Sequence, residues 1–567
     1  DFSLPGGTAA APPPPPQKGQ SPTQWASQVM NWMRRLDPID THLGDFVLAR
    51  QDGLLPGRGV SFELSFTYRS RSAYNGAFGY GWDMVYNRRV RKLENNNLVL
   101  LRGSNRRDEF TFAAPNTYTS PPGVYDALVQ NPNGTYTLTS KHGDKESYDV
   151  NGTLTRLEDR HGNALTFTYD PAGLLPITGR STYFVTQTTG VLAREYRLIG
   201  ITDAIGRTIE LTYNADGRLA TVEYEDRTIQ YEYDAEGDLI SVTDPLNQAV
   251  RYAYESHNLT TITDAKAQLY LTNLYDAAAD RVTSQTYGTG TAELVYGTDG
   301  QGNKTTDVTD RRGARALFTF DAAGHVIKQE EFTDGTPAGE PASYVTTYEY
   351  NAAGERTRVV FPRGNATEFS YDAKGNLLET RRKKIGAAKG VPSPDDIVTR
   401  FTYEPQFHFI KTATDPRGNV TTYTYDYELG EPAKGNLRRV AHPMVGGVTP
   451  QATLAYNAAG QITQVTDPNA HVTANVYDAA TGYLTEVRRD PSGINATVRM
   501  TYDSVGNVKT VTDPLGRVTS LTYDALNRLT KTTAPAPLSF ATHFSYDANG
   551  NLAHVDRQAA TSPGARP

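Results

Sequence analysis

The chain has 567 residues, with 56 Lys and Arg against 63 Asp and Glu, and a net charge of -7. That balance argues against a general nucleic-acid binder, and no run of about 18 apolar residues is present to cross a membrane as a helix. The absence of cysteine excludes disulfides, zinc-thiolate sites, iron–sulfur clusters and cysteine nucleophiles, while 35 Tyr, 49 Gly and Thr-rich alternation favour strands joined by turns.

Residues 1–20 contain five consecutive prolines, Pro12 to Pro16, too stiff to join a sheet. They read as a linker, or as an arm that docks on a neighbouring surface. Residues 21–36 carry the best helix signal. Ser21 suits the N-cap and Pro22 the first turn, and Trp25, Val29, Trp32, Met33 and Leu36 form one apolar stripe. This helix is expected to plug or dock on the rest of the protein. Residues 37–125 form an N-terminal β domain in which Gly79 and Gly81 bend the chain beside a buried Trp82. Residues 126–555 are repeats, and 556–567 are a flexible tail.

Within the repeats a tyrosine followed by Asp, Asn or Glu closes a strand-like run at fifteen positions from Tyr148 to Tyr546, and Phe320-Asp321 makes a sixteenth. Examples are Tyr169-Asp170, Tyr233-Asp234, Tyr371-Asp372, Tyr425-Asp426, Tyr523-Asp524 and Tyr546-Asp547, and the base period is about 21 residues. Each unit holds two turns. One follows the tag, as in Tyr371-Asp372-Ala373-Lys374-Gly375-Asn376. The other is of the type Asp513-Pro514-Leu515-Gly516, where Pro presets φ and Gly supplies a conformation other residues avoid. Two strands and two turns per unit predict a meandering antiparallel sheet. The residue two before the tag is apolar or aromatic except at Glu146, Asn273 and Asn475, so the tags extend a ladder along one face.

These tags and Asp-Pro turns resemble the RHS-repeat family, also called YD-repeat proteins. The segment 42–90, with Gly44-Asp45-Phe46, the turn Leu55-Pro56-Gly57-Arg58-Gly59, Tyr68-Arg69-Ser70 and Phe78-Gly79-Tyr80-Gly81-Trp82, resembles the same family's N-terminal domain. The resemblance implies a fold class: an all-β strip of antiparallel hairpins that spirals into a hollow shell, often around a toxin or effector. No segment of the family's C-terminal core type, DPxGxxxGxNxYxYxxNNP, occurs, and the self-cleaving aspartates of the toxin relatives have no matching positions. Autoproteolysis and an enzymatic payload are therefore not carried over. The chain is read as a fragment of a shell or a shorter relative.

Other motifs are sparse. The ten histidines form no HExxH or close metal-ligand spacing, and no nucleophile elbow, Walker-type loop or dinucleotide fingerprint is present. The stretch Gly297 to Asn303 looks like a calcium loop but lacks the EF-hand spacing, so a hairpin turn is expected. The basic run Arg381-Arg382-Lys383-Lys384 is expected to be a solvated loop. No catalytic, cofactor or metal residues are assigned. The expectation is a non-enzymatic bacterial scaffold, secreted or on the cell surface, enclosing or displaying a polypeptide. The alternative is a polymer of copies joined through open sheet edges and the Pro-rich arm. A glycan-active enzyme, or a surface glycan stacked on tyrosines, is the remotest reading.

Overall fold

The computed structural model describes residues 35–36, 39–104, 106–176, 194–276, 278–333 and 341–558. The arm over 1–20 and the helix with Trp25 and Trp32 lie outside these residues. Arg35–Leu36, assigned by sequence to the end of that helix, instead pair with Ile39–Asp40 as a short antiparallel strand. The sequence itself argues against helix here, because the residue before a proline, Asp37 before Pro38, avoids helical backbone. The last strand, Leu552–Gln558, runs past the expected start of the tail at residue 556.

The described chain is all-β, with a single short 3-10 turn at Asp426–Leu429. Forty strands, from Arg88–Lys92 to Leu552–Gln558, form one antiparallel sheet in which each strand neighbours the next in sequence. Meandering pairing of this kind follows from the two turns per unit, because each turn reverses the chain after one strand, of three to thirteen residues. Successive turns alternate between two edges of the strip. The turns after the tags lie on one edge, here the tag edge. The Asp-Pro turns and their variants lie on the other.

The strip has a recurring irregularity. Thr212 faces Thr221 but Tyr213 faces Leu219, so Ala220 is an extra residue. The same one-residue bulge sits opposite Tyr233, Tyr371, Tyr425, Tyr523 and Tyr546. A bulge increases local twist and leaves the ladder locally unpaired.

The chain divides into two compact units, 1–47 with 273–401 and 48–272 with 402–567. In the first, Phe320, Val326, Tyr348 and Val359 form a buried cluster. The His42 ring lies 5.0 Å from that of Phe320, and Thr306 donates to the Thr41 carbonyl at 2.6 Å. In the second, the strand Phe62–Arg69, paired with Trp82–Met84, lies as a second layer on the early repeats. Phe66 meets Tyr231, Trp82 meets Tyr252 and Tyr86 meets Phe167 at ring separations of 5.5, 5.6 and 5.2 Å.

Candidate functional site: the N-terminal layer and the turn seam

The repeat residues act through hydrogen bonds. Asp372 accepts the amides of Lys374 and Asn376 on Oδ1 at 2.8 and 2.9 Å, and Asn376 Nδ2 on Oδ2 at 2.9 Å. Gly375 takes φ 67° to close the turn. The second turn type works identically. Asp513 accepts Leu515 and Arg517 amides at 2.9 Å and Arg517 Nε at 2.6 Å, with Pro514 at the next position and Gly516 at φ 78°. These bonds hold the Asp513 carboxyl below its usual range. Asp234 and Asp524 organise turns through Asp238 and Arg528 in the same way. Asp426 is buried and gathers the amides of Lys434, Gly435 and Asn436, closing a longer turn. Tyr169-Asp170 differs. It lies inside the long strand Ala164–Pro176, where the register shifts twice.

The tag hydroxyls have a target that the repeat pattern did not reveal. Nine tag tyrosines among the described residues, Tyr371, Tyr425 and Tyr546 included, donate to a backbone carbonyl of the preceding hairpin at 2.6–3.0 Å. Tyr254 reaches Leu239, the residue that faces Tyr233 across its bulge; Tyr546 likewise reaches Leu529, which faces Tyr523. The carbonyl that the bulge takes from the ladder is thus satisfied by the next unit's hydroxyl. Burial raises these phenols: Tyr371 is pushed up to about 12, and Tyr425 and Tyr233 go higher. They stay protonated donors at any physiological pH.

The three exceptions to the apolar ladder are polar contacts. Glu146 takes the Arg88 guanidinium and the Tyr148 hydroxyl. Asn273, fully buried, accepts Gln285 Nε2 at 3.0 Å. Asn475 donates to the Ile462 carbonyl at 2.9 Å.

The N-terminal layer covers the tag edge of the early repeats. Gly79 at φ 96° and Gly81 at φ 71° bend the chain beside Trp82, which is fully buried. A Cβ at Gly81 would lie 2.7 Å from the Tyr68 ring. Trp82 Nε1 donates to the Tyr254 hydroxyl at 2.9 Å, and Tyr68 bridges the His257 carbonyl and the Leu259 amide, both at 2.9 Å. Tyr80 stacks on His257 at 3.5 Å, and Arg218 reaches Asn75 Oδ1 and the Gly76 carbonyl at 2.8 and 2.7 Å. Beneath this lies a buried polar knot. Arg50 pairs with Asp52 and donates to the Tyr252 hydroxyl, while the Tyr231 hydroxyl donates to Asp52 at 2.8 Å. No local sequence signal marks Arg50 and Asp52, because their partners lie about 180–200 residues away.

On the other edge, Asp-Pro-side turns between residues 142 and 266 meet tag-side turns between 407 and 549. His142 Nδ1 bonds the Phe407 carbonyl at 2.8 Å, and Arg160 Nε donates to the Lys434 carbonyl at 2.9 Å. Asn163 reaches the Ala459 carbonyl at 3.0 Å and Arg227 the Ala525 carbonyl at 2.6 Å. The last clasp joins Lys266 to Asp547 at 2.5 Å and Asn549 to Asp264 at 2.6 Å. Lys266 holds the Asp547 carboxyl down to about 2. Glycines make room for the contact: a Cβ at Gly435 would lie 2.8 Å from Phe409, and one at Gly460 would lie 2.4 Å from His161.

Two motifs resolve differently. Asp299 caps an ordinary hairpin turn through the Gln301 and Asn303 amides, as expected. The basic run is not a solvated loop. Arg381 to Lys383 finish the strand Leu377–Lys383, and the buried Lys383 ammonium donates to the Val391 carbonyl at 2.6 Å and approaches Asp396 at 3.4 Å. Arg381 binds the same carboxylate at 3.0 Å. The insertion folds back on the strand because Asp396 neutralises both cations, which a reading of local charge misses. Arg382 and Lys384 are exposed, Lys384 beside Asp395. Among the described residues no three His, Asp or Glu gather as a metal site.

Comparison with known proteins agrees with this geometry. A family model described as "RHS Repeat" matches residues 233–268, 350–384 and 502–538. Those three segments are RHS repeats. A second model, "Domain of unknown function (DUF6531)", matches residues 36–110, the segment that forms the N-terminal layer. Curated relatives include "Probable deoxyribonuclease RhsB" of Dickeya dadantii, 24% identical over 361 residues, which are 59% of this chain and 22% of that protein. Another is "tRNA nuclease WapA" of Bacillus subtilis, 24% identical over 313 residues, 54% of this chain and 13% of that one. The chain thus spans less than a quarter of the length of these relatives. Its fold matches one in the structure "TcdB2-TccC3-Cdc42" with a TM-score of 0.53 at 15% identity, covering 89% of this chain and 27% of that. It also matches one in the Photorhabdus luminescens Tc holotoxin pore, with a TM-score of 0.52 at 16% identity, covering 89% and 26%.

Proposed function

We propose that this RHS-repeat chain is a non-enzymatic scaffold, secreted or surface-exposed in a bacterium, that walls off a polypeptide cargo. One observation carries the reading: the turn seam. A strip whose one edge is tied to its other edge some 265–300 residues later is wound on itself, and a wound strip has an inside. The N-terminal layer supports the same reading, since it covers the tag edge that the seam leaves free. The relatives named as nucleases support a toxin-related context. Electron microscopy of the purified chain tests the proposal. Discrete particles with a stain-filled or solvent-filled interior are expected. A solid globule would overturn it, and regular filaments would favour the polymer reading instead.

A further inference from the structure

One buried carboxylate oxygen has no donor. Of the buried side-chain polar atoms that meet no partner among the described residues, Asp396 Oδ1 is the single acceptor, and the rest are arginine nitrogens. A buried oxygen left without a hydrogen bond is a cost that folded chains rarely carry without a reason.

The surroundings of Asp396 supply one. Its side chain is 1% exposed and that of Lys383 is fully buried. Lys383 Nζ lies 3.4 Å from Asp396 Oδ2 and donates to the Val391 carbonyl at 2.6 Å. Oδ2 also accepts Arg381 Nη1 at 3.0 Å and the Ser393 amide at 2.9 Å. The two oxygens are therefore unequal: donors converge on Oδ2 and none reaches Oδ1. Arg381 holds a second carboxylate, Glu379, at 2.7 Å. The charges of Glu379, Arg381, Lys383 and Asp396 sum to zero, and they still balance when those of Lys383 and Asp396 vanish together. An amine taken out of water beside another cation is the setting in which lysine acts as a nucleophile. Two donors fixed on one acyl oxygen are what an oxyanion needs.

We propose that Lys383 and Asp396 condense to an isopeptide cross-link, joining the end of the strand Leu377–Lys383 to the far end of the insertion that follows it. The ammonium gives one proton to Oδ1. The Nζ lone pair then forms a bond to Cγ, and negative charge gathers on Oδ2 beside Arg381 and the Ser393 amide. The Cγ–Oδ1 bond breaks as that oxygen takes a second proton from the nitrogen and leaves as water. The atom without a partner is thus the one that departs, no other reactant enters, and Arg381 keeps Glu379 as its counter-ion. Burial pushes the Asp396 carboxyl up, while Arg381, the Ser393 amide and Lys383 bring it below its ordinary value. The pair accordingly rests as ions, and the bond forms once and slowly, as a maturation step. It staples the largely exposed insertion 384–395 in a chain that has no cysteine to do so. This goes beyond the scaffold reading and does not depend on it.

Intact-mass spectrometry of the full chain tests the proposal. The mature protein should weigh one water less than its sequence. Limited tryptic cleavage gives a second reading, because Lys384 and Lys389 are exposed within the closed loop. After cleavage there, the two halves should stay joined on a denaturing gel. Lys383→Ala and Asp396→Ala should each restore the full sequence mass and let the halves separate. The wild-type mass and gel decide the matter even where an alanine variant misfolds. A wild-type mass equal to that of the sequence after long incubation at neutral pH would overturn the proposal, as would halves that part after cleavage. A missing water that fragmentation places at another residue, as in a succinimide, would overturn it too.

Discussion

Hairpins from the two ends of the repeat strip share one design and differ in burial. In the strands from Leu219 to Thr263, Val222, Ile229, Val242, Leu259 and Ile262 are at most 1% exposed. From Leu437 to Gln558 the single large hydrophobic residue that is buried is Val505, which sits in a turn, so no strand there buries one, and Leu552–Gln558 is exposed throughout. Both regions have the Asp turns, the bulges and the tag hydroxyls bonded to carbonyls. What separates them is the second layer supplied by residues 48–87. The repeat is therefore a one-layer sheet held mainly by hydrogen bonds, and its hydrophobic core is made where the N-terminal strands cover it.

Removing that layer's anchor should give the largest effect. Trp82→Ala deletes a fully buried ring and orphans the Tyr254 hydroxyl contact, so unfolding should be easier by about 3–5 kcal/mol. Limited proteolysis should then open the early hairpins before the late ones. Equal loss of protection across the strip would break the comparison. Next comes a matched pair of tag substitutions. Tyr254→Phe leaves both the Leu239 carbonyl and Trp82 Nε1 without their partner in a buried site, which should cost about 2–3 kcal/mol. Tyr546→Phe removes one bond from an uncovered hairpin and should cost about 1 kcal/mol or less. Chemical denaturation of the two variants measures the difference, and equal costs would mean that covering the hairpin adds nothing to the tag bond.

Smaller still is the seam's exposed clasp. Lys266→Ala should weaken the strip by less than about 1 kcal/mol and only at low salt, as expected of a solvent-accessible ion pair. A loss that persists at high salt would instead place the energy in the Asp264–Asn549 bond.

Much of the fold was legible because its signals are local. The period of about 21, the Asp-to-amide turn bonds and the alternation of apolar positions all lie within a few residues of one another. The polar exceptions Glu146, Asn273 and Asn475 were legible as exceptions but not as contacts. The tyrosine target was harder to see: it is a carbonyl commonly 15 residues upstream, in a strand displaced by a bulge that no residue type marks. The seam and the Arg50–Asp52 knot were not legible at all, since their partners lie about 180–300 residues away and depend on how the strip winds. The run Arg381 to Lys384 shows the same limit in miniature. Its charge reads as solvated until Asp396, 13 residues after Lys383, folds back upon it.

The two ends of the seam should also respond differently to acid, and this is the finest test of how the turns are clasped. His142 stacks on Phe409 at 5.2 Å and faces Lys141, Arg160 and Asp144, and burial lowers its pKa below the usual 6.5. Above pH 6.5 the ring is neutral in the folded and unfolded chains alike. As pH falls below 6.5 the unfolded chain takes up the proton first, so this end of the seam loses stability. Asp547 has the opposite sign. Its carboxyl, lowered from 3.8 to about 2 by Lys266, contributes stability that is complete above 3.8 and is lost only as pH falls through about 2. Between neutral pH and mild acid, hydrogen exchange corrected for its intrinsic rate should therefore quicken at the turn 404–409 and stay constant at 547–551. His142→Gln, which keeps a hydrogen-bonding side chain without the titration, should abolish the response at 404–409. Uniform quickening along the seam would mean that its turns open as one unit rather than clasp by clasp.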